Sequence, residues 1–77
     1  MNRLLPQTVD HLRDEYPPGR RVIVDKMDDK RAPPAGTKGT VRFVDDAGQI
    51  HVRWDTGLNL ALIFGVDEFR GISNEEN

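Results

Sequence analysis

The chain has no cysteine, two histidines (His11 and His51) and few aromatics: three phenylalanines, one tyrosine and one tryptophan. Without cysteine there is no disulfide and no thiolate metal centre, and a reducing cytosol suits the composition. Two histidines leave a zinc site short of its usual ligands. No apolar run approaches the length that spans a bilayer, and the opening "MNRLLPQTVDHLRDEY" carries charge throughout, unlike a signal peptide. These absences predict a cytoplasmic protein with no membrane segment. At 77 residues the chain makes one domain, near the lower limit at which a single core suffices unaided. Of the usual reinforcements for so small a domain, oligomerisation is the one left open.

Charge is nearly balanced but unevenly spread. Residues 20–53 hold eight basic residues against five aspartates, a net of +3, whereas residues 54–77 are net −4 within a chain of net charge −2. Sequence-blind grip on nucleic acid scales with the phosphates neutralised, so a net acidic chain is a weak candidate for it. A local basic face on the first three strands remains compatible with the sequence.

Residues 6–16 predict a helix. Pro6 suits a first turn, Leu5, Val9, Leu12 and Tyr16 recur at helical spacing, and "PPG" at 17–19 ends the element. The period then changes to two. "RRVIVDK" is a strand with Val22 and Val24 inward, and "TVRFVD" a second with Val41 and Phe43 inward. "IHVRWD" is a third, with Ile50, Val52 and Trp54 in the core and His51, Arg53 and Asp55 outside. "LNLALI" is a fourth, with Leu58, Leu60 and Leu62 inward, and "FRGI" a fifth after the single turn "FGVDEF". Gly48 and Gly57 supply left-handed residues for the two tight connections. The first connection, "MDDKRAPPAGTKG", is long, charged and stiffened by two prolines, as functional loops often are. Five short strands, a long first loop and a one-turn helix before the last strand predict a mainly β fold. The expected architecture is a small five-stranded SH3-like barrel with an N-terminal helix, spanning 19–72 and followed by a polar tail at 73–77.

Enzyme signatures are missing one by one. Ser73 lies in the tail, away from either histidine, and "GTKGT" at 36–40 enters a strand without the spacing of a phosphate loop. The acidic pairs Asp28-Asp29, Asp45-Asp46 and Asp67-Glu68 sit in turns, where aspartate is expected to serve the backbone. Asp55, before Thr56-Gly57, is read the same way. Polyproline recognition needs an aromatic-lined groove, and too few aromatics are free to line one. The expectation is a non-enzymatic module with no cofactor and no metal. Its candidate binding residues are Lys30 and Arg31 in the long loop, with Lys38, Arg42, His51 and Arg53 on the strands.

The motifs "APPAGTKGTV", "DAGQIHVRWDTG" and "LIFGVDEF" resemble the family called domain of unknown function 4314, small domains of bacteria, phages and conjugative elements. The resemblance covers roughly residues 3–72, with Thr56 where the family usually carries Asn and Phe64 where Pro is frequent. "VRWDTG" is also similar to the mind-bomb type of SH3-like module, which binds peptides of partner proteins. The resemblance implies mobile-element company, with no established activity and no catalytic residues to carry over. Three functions follow as expectations: binding of a host or mobile-element protein, counter-defence by sequestering a nucleotide or other anionic ligand, or weak nucleic-acid binding. A homodimer is also expected. The apolar helix stripe with Leu4 beside it, and outward Ile23 and Ile63, call for cover, and the short "YPPG" connection limits how far the helix folds back.

Overall fold

Helix α1 (Pro6–Glu15) starts as its sequence dictates: Pro6 occupies the first turn, and the Leu5 carbonyl accepts from the Thr8 and Val9 amides. The computed structural model describes residues 4–73. Val9 and Leu12 are buried, while Leu5 remains 65% exposed. Leu4 packs in place of Leu5, against Gly48, where an added Cβ would strike its side chain. The stripe is thus one residue off at its start. The helix closes on its own chain. Arg13 ties it down by donating to the Val44 carbonyl at 3.3 Å and to Asp46 at 2.6 Å. "YPPG" turns the chain back sharply enough, because the Gly19 amide donates to the Val41 carbonyl and Val41 donates to Arg20. The expected dimer therefore loses the helix surface on which it was argued.

Five strands follow: β1 (Arg21–Lys26), β2 (Lys38–Val44), β3 (Gln49–Trp54), β4 (Leu62–Ile63) and β5 (Glu68–Ile72). All pairings are antiparallel, in the order β4-β3-β2-β1-β5, which is the connectivity expected of an SH3-like barrel. One core gathers Val22 and Val24 of β1, Val41 and Val44 of β2, Ile50, Val52 and Trp54 of β3, Leu62 of β4, and Val9 and Leu12 of α1. Trp54 is fully buried, and its indole N–H donates to the Leu60 carbonyl at 3.0 Å. A buried indole needs such an acceptor.

Two strands depart from the expected pattern. In β2 the register against β3 shifts between Val41 and Phe43, so Val41 faces Val52, Phe43 faces His51 and Val44 faces Ile50. Arg42 is the extra residue of a bulge, and the inward alternation jumps from Val41 to Val44. Phe43, read as core, is instead 45% exposed. The fourth strand is shorter than "LNLALI". Only Leu62–Ile63 pair continuously, although Asn59 bridges Arg53 in the same register and Leu58 and Leu60 stay partly buried against the core. Gly48 and Gly57 take the expected left-handed conformation, with φ of 85° and 95°.

The β1–β2 loop is ordered by its own polar groups. Asp29 accepts from the Arg31 backbone and pairs with its guanidinium through both oxygens, while Pro33 is buried. Asp67 clasps this loop to the turn before β5, accepting the Asp28 amide at 3.0 Å and the Ile63 amide at 2.7 Å.

Asp55 does not serve its own turn. It receives two parallel hydrogen bonds from Arg21, at 2.8 and 2.7 Å, which join the ends of β1 and β3 across β2. The Arg21 bonds hold its carboxyl below the usual range, against the opposing effect of burial, with the Arg21 and Lys38 charges helping. A depressed carboxyl adds stability that is complete above its unfolded value, about pH 4, and is lost as pH falls through the lower native value. Asp55→Asn should therefore melt lower than the parent at pH 7, and the gap should close as melts are repeated toward pH 2. A gap independent of pH would show that the pair contributes no proton-linked stability.

Candidate functional site

Among the described residues, the outer face of β2–β3–β4 is exposed at Arg42, Phe43, Arg53 and Ile63. His51 sits near its middle, and two neighbours fix its ring. Asp45 meets Nε2 at 2.9 Å, and Phe43 stacks on the imidazole with centroids 4.3 Å apart and planes within 11°. Asp45 is itself held in the β2–β3 turn by the Ala47 and Gln49 amides. Burial pushes its carboxyl up, but the His51 hydrogen bond and these amides together outweigh that and bring it below the usual range. The bulge creates this arrangement. If β2 alternated regularly through these residues, Arg42 would pair with His51 and Phe43 would point inward.

Beside His51 lies a groove of about 300 Å³ between the β1–β2 loop and the sheet. Arg31 from the loop, Arg42 from the bulge and His51 from β3 line it, with Gln49 and Asn59, over a floor of Val52, Leu60 and Ala61. No acidic residue lines it among the described residues, although the chain holds 13. Arg42 makes no ion pair among the described residues, and Arg31 is engaged by Asp29. The two guanidinium groups and the imidazole come from three elements, which is why their spacing in sequence did not announce them.

The other candidates lie apart. Arg53 is exposed on the same face, opposite Thr40 and bridged to Asn59, but outside the groove. Lys30 is exposed in the loop and does not reach the groove. Lys38 opposes Ile23 at the start of β2, where its charge acts on Asp55. Phe43 was missed as a surface residue. The adjacent apolar pair Phe43-Val44 was the available signal, since strict alternation cannot bury both.

A second cleft, of about 560 Å³, opens between the start of α1 and the β2–β3 turn. Its cation, Arg13, is already taken by Asp10, Asp46 and the Val44 carbonyl. No group of three side chains suited to a metal ion occurs among the described residues, and no described helix is long and apolar enough to cross a membrane.

These features define a small, mainly β domain of SH3-like connectivity with an uncovered basic and aromatic sheet face. The chain belongs to the family described as domain of unknown function (DUF4314), whose model matches residues 5–72. No curated protein and no solved structure matches it.

Proposed function

We propose that the chain is a non-enzymatic interaction module that binds a protein partner through the outer face of β2–β3–β4. The composition of that face supports the reading. Phe43 lies half exposed on His51, Arg42 and Arg53 make no ion pair among the described residues, and Ile63 is 47% exposed at the edge. Aromatic and arginine side chains are the types enriched where interfaces carry their energy. The partner is an acidic-surfaced protein of the host cell or of the phage or mobile element that encodes the module.

The test is capture on the immobilised full chain, compared with a Phe43→Ser, Arg53→Glu variant. Both positions are exposed, so the variant should keep its melting temperature. A protein retained stoichiometrically by the parent and lost by the variant is the expected result. Equal retention by both, or recovery of nucleic acid in place of protein, would overturn it. The groove beside His51 favours a second reading, counter-defence by sequestration of a nucleotide or another anionic ligand. Weak nucleic-acid binding has less support, because the cations outside ion pairs on this face are few and the chain is net acidic.

A further inference from the structure

We propose that the groove between Arg31, Arg42 and His51 is a seat for a phosphomonoester group. The inference rests on reading this sheet face as the binding surface, but not on the partner being a protein.

The lining carries the argument. Two guanidinium groups, one imidazole and two carboxamides line a space of about 300 Å³, the lower end of ligand-site volumes, and no carboxylate is among the described lining residues. Arg42 has its full fork of N–H donors available, since no described residue pairs with it. Arg31 gives Nε and Nη2 to Asp29, which fixes the plane of the guanidinium and leaves Nη1 without a partner among the described residues. His51 is fixed as firmly. Its Nε2 faces Asp45, Phe43 covers one ring face, and Nδ1 has no partner among the described residues. With Nε2–H donated to the Asp45 carboxylate, Nδ1 is the ring nitrogen left to meet a ligand.

The number of donors selects the ligand. A carboxylate offers two oxygens, whereas a phosphomonoester offers three strong acceptors and up to two negative charges. Arg42, Arg31 Nη1 and the Nδ1 side of the His51 ring, all on the groove lining, offer a partner for each of three oxygens. Val52, Leu60 and Ala61 give the carrier of the phosphate an apolar surface. The bulge in β2 is part of the device, because it turns Arg42 and Phe43 toward the same histidine. Bulges concentrate where a side chain must be re-aimed. The same chemistry could arrive on a free nucleotide or on a phosphorylated side chain of a protein.

The experiment is amide NMR of the labelled full chain, titrated at constant ionic strength with inorganic phosphate, AMP, a short phosphoserine peptide and acetate. Phosphate should give saturable shifts confined to Arg42, Phe43, His51 and Ala61, with acetate at least tenfold weaker. A further gain of tenfold or more for AMP identifies a nucleotide as the carrier, and the same gain for the phosphopeptide identifies a phosphorylated protein. Arg42→Gln should weaken phosphate at least tenfold, while Arg70→Gln, on β5 and outside the groove, should leave it unchanged. Equal responses to phosphate and acetate, unsaturable shifts spread over all the arginines, or equal losses in the two variants would overturn the site. The Phe43→Ser, Arg53→Glu capture result would stand independently of that failure.

Discussion

Trp54→Ala is expected to remove a large part of the stability of the chain. The side chain is fully buried, the largest in the core, and anchored by its N–H to Leu60. Truncating a buried tryptophan costs about 3–5 kcal/mol through lost transfer energy and the cavity left behind. A domain of this length has roughly 4–12 kcal/mol in total. For so small a chain the loss corresponds to a melting temperature lower by about 12–40 °C. Calorimetry or far-ultraviolet circular dichroism reads the shift. In the parent, the single tryptophan reports the same burial through a blue-shifted emission that moves red in urea. A variant melting within a few degrees of the parent would place Trp54 outside the cooperative core.

Trp54 was legible because β3 obeys one rule from end to end. Ile50, Val52 and Trp54 alternate without interruption, and a single inward assignment satisfies all three. The same holds for Val22 and Val24 in β1, and for Val9 and Leu12 in α1. β2 broke the rule. A period of two carried from Val41 lands on Phe43, and only pairing with β3 reveals that Arg42 is an inserted residue. Bulges are a property of two strands, so one strand's sequence holds only their trace. The Arg21–Asp55 pair was hidden for a related reason. Its members stand 34 residues apart, and nothing local to either states the register that brings them together.

The helix shows a further limit. Its stripe gave the apolar face but not the surface that face covers. What decides the matter is the run of hydrogen bonds between Gly19, Arg20 and Val41, together with the reach of Arg13 to Asp46. The candidate site divides in the same way. Arg31, Arg42 and His51 meet at the groove, whereas Lys30, Lys38 and Arg53 lie outside it. Residue type and exposure pointed to all six. Only the fold separates the three that converge.

Gly39→Ala is expected to destabilise the chain although glycine is a poor strand residue. Gly39 is buried in β2, directly opposite Trp54 in the β2–β3 ladder. A Cβ there would lie 2.6 Å from Val52 Cγ1, 2.7 Å from Trp54 Cε3 and 3.0 Å from the Arg53 carbonyl oxygen. Replacing a strand glycine by alanine returns about 0.5–1 kcal/mol of backbone entropy. Overpacking a core at such distances costs about 1–3 kcal/mol, so the steric effect wins. The nearest clash is with a methyl that Val52→Ala removes. Gly39→Ala should therefore cost less in the Val52→Ala background than in the parent, a coupling of about 0.5–3 kcal/mol between contacting sites. Relief is partial, because Trp54 Cε3 and the Arg53 carbonyl stay in place. Urea unfolding of the parent, both single variants and the double variant measures the cycle. Strictly additive losses would show that Gly39 is kept small for some reason other than the packing of Val52 above it.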